Sequence, residues 1–198
     1  MGRFSIRELG LSTWPDFARL AEKHHGVWGG CWCVFFHVER GWSGRTPAQN
    51  RADKERLVRA NRSHAALVYD GADVVGWCQF GPPSELPRID RMRGYGLKNS
   101  NLPDWRITCF FVDRERRHEG VARQALRGAL QVIAAKGGGT VEAYPAATER
   151  RATSSSFLWH GTVSMFADAG FRNFRVLGAK HRVMRRSVQA LRRNESLC

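Results

Sequence analysis

The chain has 198 residues, 42% of them hydrophobic, and a formal net charge of +14 at neutral pH. Its length and apolar content predict one soluble globular domain, and no apolar run approaches the roughly 20 residues that a membrane helix needs, so no membrane partner is expected. A basic chain suits nucleic acid, but lysine is scarce and the arginines are scattered apart from clusters at 114–117, 182–186 and 192–193, which makes nucleic acid an alternative partner rather than the expected one.

Residues 1–9 lack the uninterrupted apolar segment of a secretory signal, which predicts a cytoplasmic location. Residues 4–9 alternate as a short strand. Thr13-Trp14-Pro15-Asp16 has the pattern of a capping box and predicts a helix to about Lys23. Residues 26–36, rich in glycine and aromatic side chains, read as an extended segment or wall. Cys31 and Cys33 lie near His24, His25 and His37, but Cys-x-Cys without a second pair of ligands is a poor zinc knuckle, and no metal is expected. An odd count of five cysteines predicts free thiols in a reducing compartment. Thr46-Pro47-Ala48-Gln49 signals a second, unusually polar helix to about Arg62.

Two strands follow, at residues 65–69 and 74–80, joined by the hairpin turn Asp70-Gly71-Ala72-Asp73. Residues 84–103 form an arginine-, glycine- and proline-rich loop, the expected mobile substrate-side segment. Residues 105–112 are an apolar strand and 113–116 a charged turn. From Val121 an amphipathic helix begins, with Ala125, Leu126, Ala129, Leu130 and Ile133 on one face. A triple-glycine turn precedes a strand at 140–144; a helix near 160–169 closes at Gly170, and strands at 171–177 and 182–187 end the pattern. The order predicts an α/β fold, a mixed central sheet with helices on both faces, as a single domain over residues 1–188 with a fraying tail at 189–198.

The strand–helix junction Arg117-His118-Glu119-Gly120-Val121-Ala122 carries the chemistry. Glycine there lets backbone N–H groups approach a ligand, and an open helix N-terminus favours phosphate. These six residues resemble the Arg/Gln-x-x-Gly-x-Gly/Ala signature of the GCN5-related N-acetyltransferase (GNAT) superfamily, and Gly161 to Phe171 resembles that family's last helix with its terminal Gly-Phe. The resemblance covers roughly residues 4–188 and implies an acyl-CoA N-acyltransferase fold, with acetyl-CoA as co-substrate and a primary amine as acceptor, in a monomer or homodimer.

By that resemblance, backbone groups of Phe110, Phe111 and Val112 pair with the pantetheine arm and polarise the acetyl carbonyl. Amides of Arg117, His118, Glu119, Gly120, Val121 and Ala122 hold the pyrophosphate, with Arg123 reaching a phosphate. The family often places a tyrosine acid where this chain has Phe166, which is left to pack on the cofactor arm, with Ser164 or water donating the proton. The residues themselves make Glu142 the leading general base, since a carboxylate in an apolar strand is desolvated and its pKa raised. His37, His118 and His160 are weaker candidates. Trp32, Phe35, Trp77, Gln79 and Tyr144 are expected around the acceptor. Two alternatives stand: a non-catalytic acyl-CoA-binding regulator, motivated by Phe166, and a basic acyltransferase acting on a nucleic-acid-associated substrate.

Overall fold

The structure, a computed structural model, describes residues 3–92, 101–146, 159–177 and 181–191. Seven strands make one sheet: β1 (Phe4–Glu8), β2 (His64–Asp70), β3 (Asp73–Gly81), β4 (Trp105–Val112), β5 (Gly139–Ala143), β6 (Arg172–Leu177) and β7 (His181–Val188). Their order across the sheet is β1-β2-β3-β4-β5-β7-β6. β4 and β5 run parallel, and every other neighbouring pair is antiparallel. β2, β3 and β4 are buried at nearly every position because both faces of the sheet are covered, so they read as continuous apolar runs.

Among the described residues, five α-helices accompany the sheet: α1 (Trp14–Lys23), α2 (Pro47–Arg59), α3 (Arg88–Arg91), α4 (Val121–Ala135) and α5 (Val163–Asp168). One face carries α1 and residues 25–36, whose Phe17, Trp32 and Phe36 pack with Trp77 and Phe111. The other carries α4 and α5, whose Leu126, Ile133 and Phe166 pack with Val68, Phe80 and Phe110. A one-residue bulge at Thr108 reverses the alternation of β4, because Gln79 faces Cys109 while Phe80 faces Ile107. The bulge puts Ile107 and Phe110 on the same face.

Four local expectations are corrected. The Thr13 hydroxyl does not cap α1: it accepts from Gly10 N–H at 2.9 Å and donates to the Glu8 carbonyl at 2.8 Å. Residues 26–36 are not extended but wound into turns, with left-handed backbone at Val27, Trp28, Trp32 and Cys33. Asn50 Nδ2 on α2 holds this segment by donating to the Gly30 carbonyl at 2.8 Å. The loop at 84–103 contains α3, and its residues 93–100 lie outside the described ones, as do Cys198 and the arginines at 192–193. The helix near 160–169 is shorter, starting at Val163 behind the capping hydroxyl of Thr162. By contrast, the Thr46–Gln49 capping box of α2 forms in full. Leu191 N–H bonds the Ala134 carbonyl at 3.0 Å, so the start of the expected tail is docked on α4.

α4 sits close to the sheet because Gly76 leaves room for it. A Cβ at Gly76 would lie 2.7 Å from the Phe111 carbonyl oxygen and 2.8 Å from Val121 Cγ1. Gly76→Ala should therefore force the start of α4 off β3 and cost about 1–3 kcal/mol. Urea unfolding measures this, and a loss below about half a kcal/mol would mean the helix is not seated by that contact.

Candidate active site

The parallel pairing of β4 and β5 covers three residue pairs, from Trp105–Val141 to Ile107–Ala143. Beyond it the strands part, and residues 159–162 enter the gap. Phe110 N–H donates to the Trp159 carbonyl at 2.7 Å, and Ala146 N–H to the Gly161 carbonyl at 3.1 Å. Asp113 N–H bonds Val75 on the β3 side, so strand alternation turns the N–H groups of Phe110 and Val112 toward the gap.

α4 begins at the outer end of this gap. Gly120, at φ 81°, takes the left-handed conformation that only glycine adopts without strain, and His118 is left-handed too. Alternating backbone of this kind turns successive N–H groups inward, a concavity suited to an anion. No side chain caps this helix and no acidic residue lies in its first turn, whereas α2 and α5 are capped by Thr46 and Thr162. The first turn of α4 therefore presents its N–H groups and partial positive charge to the space ahead of it. That space is a cavity of about 390 Å³ walled by Phe110, Phe111, Val112, Arg116, Arg117, His118, Gly120, Val121, Ala122 and Arg123. Trp28, Thr162 and Met165 close it.

A second cavity, of about 380 Å³, opens on the other side of Trp28. Its walls are Trp28, Phe35, Phe36, Trp42, Trp159, Cys31 and Cys109, with no charged side chain among them. Cys109 and Phe110 are consecutive on β4, so the two cavities meet across that strand and across Trp28. The sequence profile of the acetyltransferase (GNAT) family matches residues 28–154, a span holding β2 to β5, α4 and the cavity at its terminus. The chain belongs to the GNAT acetyltransferase family.

Solved structures share the fold. A putative GNAT acetyltransferase from Desulfovibrio desulfuricans superposes with a TM-score of 0.52 at 14% identity, over 93% of this chain and 99% of its own. The ribosomal-protein-S5-alanine acetyltransferase from Vibrio fischeri gives 0.54 at 13% identity, over 95% and 94%. A protein described as histone acetyltransferase HPA2 and related acetyltransferase, from Corynebacterium glutamicum, gives 0.54 at 14%, over 98% and 99%. Among curated proteins compared by sequence, none matches significantly.

Against this GNAT geometry the expected residues divide. Phe110, Phe111, Val112, Arg117, His118, Gly120, Val121, Ala122 and Arg123 come together around the first cavity. Glu119 does not line it: its carboxylate pairs with Arg3 at 2.9 Å and Arg116 at 3.2 Å. Ser164 is exposed beside Thr162, 3.1 Å between hydroxyls. Phe166 is fully buried against Phe110 and Phe171, so it packs in the core and not on the cavity wall. Met165 and Thr162 occupy that wall instead.

Of the expected acceptor residues, Phe35 alone lines the aromatic cavity. Trp32 packs with Trp14 and Phe17, and Trp77 with Phe17 and Phe111. Gln79 Oε1 accepts from Lys54 Nζ at 2.6 Å, and Tyr144 donates its hydroxyl to Glu142 at 2.7 Å. Trp28 and Phe36 line the aromatic cavity too and belong to residues 26–36, one reading of which was a wall, whereas Trp42 and Trp159 were not named. The aromatic density of residues 28–42 was the signal for Trp42, and Trp159 had none.

Glu142 is 1% exposed, so it is not a solvated outward-facing carboxylate. Nor are its surroundings apolar. Its Oε1 accepts from Tyr144 and its Oε2 from Arg185 Nε at 2.8 Å, and it lines neither cavity. His37 and His160 are buried, and burial pushes both down to about 3, leaving them neutral. Removing one partner of a buried pair strands the other, so Glu142→Gln should cost about 3 kcal/mol in urea unfolding. A cost below about 1 kcal/mol would show that Arg185 is satisfied without it.

Proposed function

We propose that this GNAT protein transfers an acetyl group from acetyl-CoA to a primary amine by direct attack in a ternary complex. The observation that carries this reading is the junction of the cavity at the uncapped α4 terminus with the aromatic cavity, across Trp28 and β4. The pyrophosphate sits on the amides of residues 117–122, with Arg117 and Arg123 beside it. A larger groove of about 800 Å³ adjoins through Arg123 and Met165, and its Arg127, Arg172 and Arg186 offer positive charge to the nucleotide end.

From α4 the pantetheine arm runs back along β4, meeting Val112 N–H first and Phe110 N–H next. Phe110 is bonded to the Trp159 carbonyl, so the thioester oxygen exchanges with that oxygen at the same donor. The donor then stabilises the negative charge that grows on the carbonyl as the amine attacks.

The amine enters through the aromatic cavity. Its walls carry no carboxylate and the Arg88 guanidinium already lies over the Phe35 and Trp42 rings, so a second cation is disfavoured there, and desolvation lowers the amine's own pKa and supplies the neutral nucleophile. No carboxylate lines either cavity among the described residues, His37 and His160, held near 3, are too weak as bases to accept the proton at neutral pH, and His118 lines the cavity at the α4 terminus, not the aromatic one. Glu142 therefore holds Arg185 and Tyr144 in place, and water takes the proton. The leaving thiol, with an ordinary pKa of about 8.5, needs no dedicated acid. The same walls favour an acceptor with an apolar or aromatic body over a polyamine or an aminosugar.

Thiol release from acetyl-CoA, followed with a panel of amines across pH, tests this. Aryl-alkylamines should be used in preference to polyamines. The kcat/KM profile should rise with pH to a midpoint that tracks the pKa of each acceptor. A midpoint fixed whatever the amine would require a base on the enzyme. Donor binding without release for any amine would favour an acyl-CoA-binding regulator.

A further inference from the structure

Three arginines serve α3. Arg88 and Arg91 belong to it, and Arg106 of β4 holds its Asp90. Two of the three are matched by a carboxylate: Arg91 Nε donates to Glu39 Oε1 at 2.6 Å, and Arg106 Nη1 to Asp90 Oδ2 at 3.0 Å. Arg88 is not. Its Nε donates to the Val38 carbonyl at 2.6 Å, and among the described residues neither Nη group has an acceptor. The residue is part-buried, but neither Nη atom is sealed from solvent, so a ligand can reach both. Burial draws the Arg88 pKa below the ordinary arginine range, with no carboxylate acting the other way.

The guanidinium is held in one place. It lies over the Phe35 ring, 4.5 Å from its centroid, and 5.8 Å from that of Trp42. These two rings stand edge to face, 4.9 Å apart at 85°. The backbone beneath is fixed as well: Arg88 N–H donates to the Phe36 carbonyl at 3.3 Å, and Leu86 and Ile89 are 0% exposed. An arginine stacked on rings, with Nε engaged, still offers its two Nη groups side by side. That fork fits the two oxygens of a carboxylate, and holding it ready lowers the entropy lost on binding.

Phe35 and Trp42 are walls of the aromatic cavity, so the guanidinium stands on that side of it. Two ring contacts, Phe35–Phe36 at 5.1 Å and Phe36–Trp159 at 5.8 Å, lie between that side and Trp159, whose carbonyl takes the Phe110 N–H. The cavity therefore has a cation on one side, a backbone donor of β4 on the other, and aromatic surface between them.

We propose that Arg88 selects the acceptor by charge: the molecule that is acetylated carries its primary amine at one end of an apolar body and a carboxylate at the other, the carboxylate resting on the Arg88 Nη groups. This rests on the proposed transfer, in which the amine meets the thioester beside Phe110. The amine is then on the Trp159 side and the carboxylate on the Phe35–Trp42 side. An α-amino acid, whose two groups share one carbon, does not span them. A polyamine is disfavoured twice, because it brings a second cation to the arginine and offers no apolar body to the rings.

The first test needs no acetyl transfer. Calorimetry compares the binding of 4-phenylbutyrate with that of 4-phenylbutyramide, which share an aryl body, lack an amine and differ in the charge offered to Arg88. The acid should bind about tenfold or more tighter than the amide, and in Arg88→Met the two should come within about twofold of each other. A merely structural role would weaken both alike and leave their ratio unchanged. If Arg88→Met does not fold, phenylglyoxal labelling of the unaltered protein decides: the acid, and not the amide, should protect Arg88, while the exposed Arg56 stays reactive. Equal affinities in the parent, no binding of either compound at millimolar concentration, a preference that survives Arg88→Met, or an Arg88 left unprotected would overturn the proposal. Thiol release from acetyl-CoA then reads the substrate class. Amino acids with an apolar spacer between amine and carboxylate should be used in preference to their amides and to phenylalanine, and the reverse order would also overturn it. A protein that prefers the acid in binding yet releases no thiol with any amine would refute the proposed transfer and leave the anion site at Arg88 standing.

Discussion

β4 and β5 can pair for three residues and no further, and the site follows from that limit. A parallel sheet that stayed closed would spend the N–H groups of Phe110 and Val112 on a neighbouring strand. Here they face a gap, and Phe110 finds a partner only in the carbonyl of Trp159, from another segment. The bulge at Thr108 contributes by reversing the side-chain alternation just where the strands part. It places Cys109 and Phe111 against the aromatic cluster and Phe110 against α5, and both faces contribute to the cavity at the α4 terminus through Phe110 and Phe111. Gly76 then lets α4 approach closely enough for its terminus to stand at the mouth of the gap.

The basic character of the chain looks different once its arginines are located. Many are engaged with carboxylates, as in Arg45–Asp53, Arg59–Glu55, Arg106–Asp90 and Arg185–Glu142. The positive charge that bears on function is local. It centres on the open terminus of α4, where no acidic residue lies in the first turn, with Arg116, Arg117 and Arg123 along the cavity wall, Arg116 paired with Asp70 and Glu119 and Arg123 with Asp168.

Legibility in the sequence followed the range of the interactions. The α2 capping box, the two-residue turn at Gly71-Ala72 and the strand–glycine–helix junction at 105–135 rest on local contacts, and all appear as read. The cavity at the α4 terminus was largely readable because one continuous stretch, Phe110 to Arg123, supplies most of its wall. The aromatic cavity was not, since its wall draws on residues 28–42, Cys109 and Trp159, which only the tertiary fold brings together. Residues 26–36 do supply cavity wall but are not extended, because four non-glycine residues there adopt left-handed backbone that no local rule favours. The surroundings of Glu142 were hidden for a related reason: its strand looks apolar in sequence, yet Arg185 arrives from β7, 43 positions away.

The proposed transfer requires the donor to occupy the gap between β4 and β5 with its phosphates on α4. Backbone hydrogen exchange with and without acetyl-CoA measures that directly, one amide at a time. Slowed exchange is expected at Val112 and at Gly120 to Arg123, with amides at the far edge of the sheet in β1 unchanged. Protection confined to other elements, or none at saturating acetyl-CoA, would contradict it.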